Sequence, residues 1–261
     1  MQNPLFIQLI ADYGVGDPAF NEVIQKLTSL NPFVQVRATS VPDFSTLATG
    51  FWTAQYSLVN RLENLIVYTN VDPRTEKKES RDKNEGSKFA LAKLKNGALI
   101  AGVNRGYCFS LVKPYITAFH LANVANKGSQ FRSRDFYPEA VIGFANGDQK
   151  FIDAPLEVES IPEVPINRIA WVDGYGNIKT STRQSQVNFK RGQPLQIALN
   201  GIKRTAYFND GTFNVREGEL AFAPGSSGAA DKFMEIFLRG FSAHKEFGKP
   251  KVEAEFTVTK A

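Results

Sequence analysis

Apolar and polar positions in the first part of the chain follow an alternation of strand and helix patterns. An apolar run at residues 5–11, interrupted only by Gln8, predicts a buried strand. Asp17-Pro18 then supplies a helix N-cap and a proline at the first helical position, and apolar side chains recur at helical spacing until Asn31-Pro32. The same reasoning predicts a strand at 33–38, a helix at about 43–62 and a strand at 65–71.

This order of strands and helices predicts a parallel sheet with right-handed crossovers. Residues 72–88 contain almost no apolar residue and are expected to form a solvated loop. Apolar runs at 89–94 and 98–103 flank Lys95-Asn96-Gly97, which is a hairpin signal. With a last helix at 134–144, residues 1–152 are expected to form an α/β domain with a mainly parallel sheet.

From about residue 150 the pattern changes. Residues 153–165 contain three prolines among acidic side chains and are expected to form a linker. Beyond them, short alternating runs are separated by turns with glycine or asparagine, which is typical of a β-barrel or sandwich. We therefore expect an all-β domain at 166–261, with strands at 169–172, 195–199, 203–208, 220–223, 234–238 and 252–259.

Composition narrows the classes of function. The net charge of +5 comes from 31 basic and 26 acidic side chains, without the clustered basic footprint of a nucleic-acid-binding protein. Two histidines and the single Cys108 argue against a usual zinc site, and a lone cysteine fits a reducing, cytoplasmic location. No apolar run reaches the ~20 residues of a membrane span, and the N-terminal run lacks the basic start of a signal peptide.

Carboxylates follow two strands of the predicted parallel sheet. Asp12 and Asp17 come after the first strand, in LIADYGVGD, and Asp72 follows the third. Ligands of open parallel sheets bind at this edge, and the stretch has neither a GxGxxG pattern nor a Walker lysine. A carboxylate there suits the two hydroxyls of a ribose. Simpler roles stay open, with Asp17 as a helix N-cap and Asp72 as a turn residue before Pro73.

A second candidate stretch, WVDGYGNIKTS, is in the C-terminal half. The ring of Tyr175 and the amide of Asn177 could stack on adenine and hydrogen-bond to its edge. A plain hairpin turn is the alternative interpretation.

The order of these motifs resembles the S-adenosylmethionine hydroxide adenosyltransferase family, whose relatives include fluorinases and chlorinases. The resemblance covers residues 6–248 and rests on IADYGVGDPAF, ATSVPDFSTLATGFW, VYTNVDP, IAGVNRG, SQFRSRDFYPEA, VDGYGNIKTS, EGELAFAPGSSG and MEIFLRGFSA. It implies an α/β domain, a C-terminal β-barrel and a homotrimer, with active sites between the N-domain of one subunit and the C-domain of the next. The family displaces methionine at C5′ of S-adenosylmethionine by water or halide, and the adenosyl ligand is a substrate, so no cofactor is expected.

The resemblance also implies roles for the matched residues. Asp12 would bind the ribose hydroxyls, and Asp17 would bind the methionine ammonium with help from Asp173. The remaining contacts would come from Asn177 at the adenine edge, Tyr175 and Phe213 on the adenine faces, and Ser226 or Ser227 at the methionine carboxylate.

The water-activating group departs from the family pattern. Asp72 keeps the family's aspartate position, but the next loop has lost its glycines, and Arg81 and Arg74 are candidates for the family's arginine. Arg132 stands where the family has histidine, and it cannot act as a base because the pKa of arginine stays above ~12. It could still pair with Asp72 or orient water. Arg134-Asp135 matches a family pair, and Asp135 is expected to cap a helix.

We therefore expect an enzyme that cleaves S-adenosylmethionine with water to give adenosine and methionine. The altered loop and Arg132 leave open a catalytically silent homologue that binds an adenosyl ligand. A halogenase is less favoured, because the carboxylate of Asp72 would repel a halide.

Overall fold

The computed structural model describes residues 4–59, 62–73, 85–211 and 213–261. The chain forms two compact units that divide between Glu163 and Val164, inside the segment expected to be a linker.

One seven-stranded sheet organises the N-terminal unit. Its strands are β1 (Phe6–Ala11), β2 (Gln35–Ser40), β3 (Leu65–Asn70), β4 (Phe89–Leu94), β5 (Leu99–Val103), β6 (Ile116–Ala122) and β7 (Ile152–Pro155). Their order is β2-β1-β3-β5-β4-β6-β7. The first four in this order are mutually parallel, whereas β4, β6 and β7 join by antiparallel pairing. Strand β7 also shows that the sheet extends into residues expected to be linker.

The α-helices among the described residues of this unit are α1 (Pro18–Leu30), α2 (Thr46–Leu58), α3 (Arg132–Asp135) and α4 (Tyr137–Ala145). The helix predicted after Asp17 is confirmed, because Asp17 Oδ1 accepts a hydrogen bond from the backbone N of Ala19 at 2.8 Å. Helix α2 begins later than expected, because the side chain of Ser45 caps it by accepting from the backbone N of Ala48 at 3.2 Å.

The helix expected at 134–144 is broken at Phe136, whose φ and ψ are −124° and −39°. Asp135 does not cap the following helix, so that expectation is wrong. Its carboxylate instead accepts hydrogen bonds from Arg134 and from the hydroxyl of Ser129. The carboxylate therefore fixes the turn that precedes the helix rather than the helix N-terminus.

The described residues of the C-terminal unit form a second seven-stranded sheet and a short helix, α5 (Ala243–Glu246). Its strands are β8 (Ile169–Val172), β9 (Ile178–Arg183), β10 (Pro194–Leu199), β11 (Ile202–Phe208), β12 (Leu220–Pro224), β13 (Phe233–Leu238) and β14 (Phe256–Lys260). Their order is β14-β10-β11-β12-β13-β9-β8. A bridge between Arg168 and Glu255 joins the two edges, so the sheet curls toward a barrel. The expectation of an all-β C-terminal unit is confirmed.

Candidate functional site

The carboxyl ends of β1 and β3 meet at one edge of the N-terminal sheet. Ala11 lies opposite Asn70 in the ladder, so Asp12 and Asp72, which follow these strands, share that edge. Both line a cleft of about 820 Å³. Among its described lining residues, carboxylates outnumber cations, since Arg132 faces Asp12, Asp17, Asp43, Asp72 and Glu85. The cleft therefore favours a ligand with positive charge.

Asp12 anchors an aromatic side chain at the rim of this cleft. Its Oδ2 accepts a hydrogen bond from the backbone N of Phe44 at 3.0 Å. Phe44 has a φ of +59°, a left-handed conformation that is strained for a bulky side chain. Such strain persists where the surroundings enforce it, and here the Asp12 carboxylate helps to hold Phe44 against the cleft.

Asp72 is held on two sides by Ser87. The backbone N of Ser87 donates to Oδ2 of Asp72, and its hydroxyl donates to Oδ1, both at 2.9 Å. Ser87 does not line the cleft, whereas Asp72 does. Ser87 therefore holds the Asp72 carboxylate from the side that faces away from the cleft.

Arg132 faces Asp72 across a longer gap. Its Nη2 is 4.0 Å from Oδ2 of Asp72, and both side chains are largely buried, at 16% and 18% exposed. Its Nε donates a hydrogen bond to the hydroxyl of Tyr137 at 3.1 Å. The guanidinium lies over Gly86, where an added Cβ would fall 1.6 Å from Nη2. A side chain at position 86 would therefore displace the guanidinium from this position.

Two tyrosines of the cleft are unsuited to proton abstraction. Burial raises the pKa of Tyr13 to about 12, although hydrogen bonds with Ser133 and Asn70 partly oppose it. Burial also raises the pKa of Tyr137, which the neighbouring Arg132 partly offsets. Both hydroxyls therefore stay protonated at neutral pH and serve as hydrogen-bonding groups.

The neighbouring Arg134-Asp135 pair has a structural role. Arg134 bonds Asp135 at 2.7 Å and Glu22 on α1 at 2.5 Å, and neither partner of the pair lines the cleft. The two loop arginines named from the sequence, Arg81 and Arg74, lie outside the described residues.

The C-terminal unit carries a groove of about 1460 Å³. Five of the residues predicted from the sequence line it: Asp173, Tyr175, Asn177, Phe213 and Ser226. Tyr175 and Phe213 are 85% and 73% exposed, which is unusual for large aromatic side chains and leaves both rings available to a partner or ligand.

Asp173 organises the turn that presents these residues. Its Oδ1 accepts from the backbone N of both Tyr175 and Asn177 at 3.0 Å. Its Oδ2 accepts from Nδ2 of Asn177 at 2.9 Å. The hairpin-turn interpretation is therefore confirmed, and the same turn brings Asn177 into the groove.

A buried ion pair lies at the floor of the groove. Nζ of Lys179 is 2.5 Å from Oε1 of Glu235 and 3.8 Å from Oδ2 of Asp173. Lys179 and Glu235 are 8% and 4% exposed, yet both line the groove. An added Cβ on Gly225 would fall 1.9 Å from Oε1 of Glu235, so the glycine makes room for the pair.

The two serines named for a ligand carboxylate are placed differently. Ser226 lines the groove, and its backbone N approaches Oε1 of Glu235 at 3.4 Å. Ser227 is 4% exposed and does not line it, while its carbonyl accepts from the backbone N of Phe233.

Sequence reasoning missed Ser87, Lys179 and Glu235. Lys179 could have been found, because it follows Asn177 at the two-residue spacing that places side chains on one face of an extended segment. Ser87 gave no signal, since a long polar segment separates it from Asp72.

Among the residues that the structure describes, no group of three or more His, Cys, Asp or Glu could hold a metal ion. None of the described helices is long and apolar enough to cross a membrane.

Comparison with known proteins supports the fold. No protein-family model matches the chain, and no curated protein matches it. Among solved structures, it is similar to an uncharacterized conserved protein from Thermotoga maritima, with a TM-score of 0.77, 17% identity, and coverage of 97% of this chain and 100% of that one. It is also similar to a conserved hypothetical protein from Thermus thermophilus, with a TM-score of 0.68, 18% identity, and coverage of 98% and 100%. At such identities, the likeness shows a shared fold and nothing of function.

Proposed function

We propose that this chain cleaves S-adenosylmethionine with water to give adenosine and methionine. The observation that carries the proposal is the meeting of Asp72 and Arg132 in a carboxylate-rich cleft at the carboxyl edge of parallel strands. The ligand carries a sulfonium and an ammonium, and the excess of carboxylates suits both positive charges.

The proposed step needs little covalent chemistry from the protein. The water oxygen forms a bond to C5′ while the C5′–S bond breaks, and the bonding electron pair moves to sulfur. Sulfur leaves as the neutral thioether of methionine, so no general acid is required. The water proton goes to the carboxylate of Asp72 and then to solvent, while Arg132 orients the water.

The described contacts of Asp17 leave it ligand-binding capacity. Asp17 uses Oδ1 to cap α1, which leaves Oδ2 for the methionine ammonium. Asp12 would bind the ribose hydroxyls, because a carboxylate can accept hydrogen bonds from both. The adenine would lie in the C-terminal groove, between Tyr175 and Phe213 and against Asn177, with Ser226 at the methionine carboxylate.

A homotrimer is part of the proposal. The family resemblance implies sites that combine the N-terminal cleft of one subunit with the C-terminal groove of the next. The exposed rings of Tyr175 and Phe213 support this, because large apolar side chains at a groove rim are typical of a surface that is covered in an assembly or a complex.

The test is incubation of the full chain with S-adenosylmethionine in heavy-oxygen water, followed by mass spectrometry of the products. We expect adenosine that carries the heavy oxygen at its 5′-hydroxyl, and methionine in equal amount. Asp72→Asn should abolish the product without abolishing ligand binding. Unlabelled adenosine, or an unchanged rate in Asp72→Asn, would contradict the proposed step.

A second candidate is a silent protein that binds the adenosyl ligand without turnover. The observations that favour it are the occupation of both Asp72 oxygens by Ser87 and the inability of Arg132 to act as a base. Intact S-adenosylmethionine recovered in complex with the chain after prolonged incubation, with no adenosine, would establish it.

A further inference from the structure

The amide of Asn177 has a fixed orientation. Its Nδ2 donates to Oδ2 of Asp173 at 2.9 Å, while its backbone N donates to Oδ1 of the same carboxylate. A carboxylate accepts hydrogen bonds and has no N–H to offer. Only Nδ2 can therefore face Asp173, because the reversed amide would place Oδ1 of Asn177 against a carboxylate oxygen.

Further groups hold Asp173 in place. The backbone N of Tyr175 donates to Oδ1 at 3.0 Å, and the ammonium of Lys179 is 3.8 Å from Oδ2. Lys179 is itself bonded to Glu235 on the adjacent strand, at 2.5 Å. The orientation of Asn177 is thus supported by β9 and β13 together, and not by the turn alone.

We propose that Asp173, through Asn177, makes the groove select 6-aminopurines over 6-oxopurines. This inference rests on the proposed function, in which Asn177 reads the adenine edge. Oδ1 of Asn177 receives no hydrogen bond from the described part of the chain, and Nδ2 keeps a second N–H. An acceptor beside a donor matches the amino group and neighbouring ring nitrogen of adenine.

A 6-oxopurine meets the opposite pattern. It presents a carbonyl oxygen to Oδ1 of Asn177, so two acceptors face each other. Rotation of the amide would relieve this contact but would turn Oδ1 onto the carboxylate of Asp173. Either arrangement leaves a polar group without its partner, which is the situation in which binding sites discriminate strongly.

Calorimetric titration of the full chain with adenosine and with inosine tests the proposal. We expect wild-type protein to bind adenosine at least about tenfold more tightly, because a bidentate contact to a base edge discriminates against a base with the opposite pattern. In Asp173→Asn, the new side-chain amide can donate to Oδ1 of Asn177. The amide of Asn177 then turns and offers N–H to the ligand, so we expect the preference to shift toward inosine.

Equal affinities in the wild type, binding of neither nucleoside, or an unchanged ratio in a folded Asp173→Asn chain would overturn the proposal. Asn177→Leu is the matched control, because it keeps the side-chain size and removes both polar groups. Its adenosine-to-inosine ratio should fall to near one, and this holds even if Asp173→Asn disturbs the turn. A ratio in Asn177→Leu equal to that of the wild type would also overturn the proposal.

Nucleoside binding is measured separately from turnover, so the two proposals can fail independently. A chain that prefers adenosine but forms none from S-adenosylmethionine refutes the reaction and retains the selectivity. A chain that turns over S-adenosylmethionine but binds both nucleosides equally refutes the selectivity alone.

Discussion

Replacement of Lys179 by methionine tests the buried ion pair beneath the C-terminal groove. Lys179 and Glu235 are 8% and 4% exposed, and their charged atoms are 2.5 Å apart. Without the ammonium, the carboxylate keeps only a long contact from the backbone N of Ser226, at 3.4 Å, among the described contacts. Loss of one partner from a buried pair costs about 3–5 kcal/mol, and we expect the lower end because the groove admits water.

The double variant Lys179→Met/Glu235→Leu separates the charge from the packing. Replacement of a whole buried ion pair by apolar side chains is often neutral or stabilising. We therefore expect its free energy of unfolding to lie within about 1 kcal/mol of the wild type. The single variant should then be the least stable of the three proteins, although it removes fewer polar groups.

The measurement is urea unfolding in a Trp52→Phe background. This substitution leaves Trp171 as the only tryptophan, and Trp171 lies opposite Lys179 in the β8–β9 ladder. Its fluorescence therefore reports the unit that contains the ion pair. This prediction would be refuted if Lys179→Met lost less than about 1 kcal/mol of unfolding free energy, or if the double variant were as unstable as the single one. Either result would show that Lys179 and Glu235 do not behave as a buried ion pair.

Three further predictions concern the cleft, the assembly and the turn before α4. In initial-rate assays, Ser87→Ala should lower the turnover number for adenosine formation about tenfold at unchanged KM, because a hydrogen bond to a charged group contributes about 1.5–3 kcal/mol. Ser87→Thr keeps the hydroxyl and should restore the turnover number. If each site joins two subunits in randomly mixed oligomers, co-expressed Asp72→Asn and Asn177→Ala chains should show about a quarter of wild-type activity. If each site lies within one subunit, the mixture should be no more active than either variant alone. Hydrogen bonds, chiefly from Arg134, hold the pKa of Asp135 below its ordinary value of 3.8. The resulting stabilisation is present above that pH and is lost below it. We therefore expect wild type and Asp135→Asn to differ less in unfolding free energy below pH 3.8 than above it.

Local pattern predicted those parts of the fold in which one face of each element is buried. The helix after Asp17 was placed correctly because cap, proline and apolar spacing agree there. Strand β9 was missed, because its sequence IKTSTR is mostly polar although almost every residue in it is buried. Its polar side chains bond to groups outside the strand, as Thr180 does by donating to the carbonyl of Met234 and Lys179 by pairing with Glu235. A strand whose buried polar groups form hydrogen bonds with distant residues has no alternation of apolar and polar positions by which the sequence could reveal it.

In the candidate site too, some features could be predicted from the sequence and others could not. Asp12 and Asp72 could be placed at one sheet edge because parallel strands align their carboxyl ends. The partners of Asp72 could not be deduced, since Ser87 returns to it from the far end of a polar segment. Gly86 likewise gave no signal, because its importance depends on how closely the guanidinium of Arg132 approaches the backbone.

The geometry around Asp72 bears on whether the cleft supports turnover. A carboxylate has about four lone-pair sites, and Ser87 fills one on each oxygen, so acceptor capacity remains toward the cleft. The 4.0 Å gap to Nη2 of Arg132 is too long for a direct hydrogen bond, but a water molecule can contact both groups across it. With its Nε fixed by Tyr137, Arg132 could orient such a water and could not deprotonate it. In the proposed reaction Arg132 therefore only positions the water, and Asp72 must accept the proton by itself.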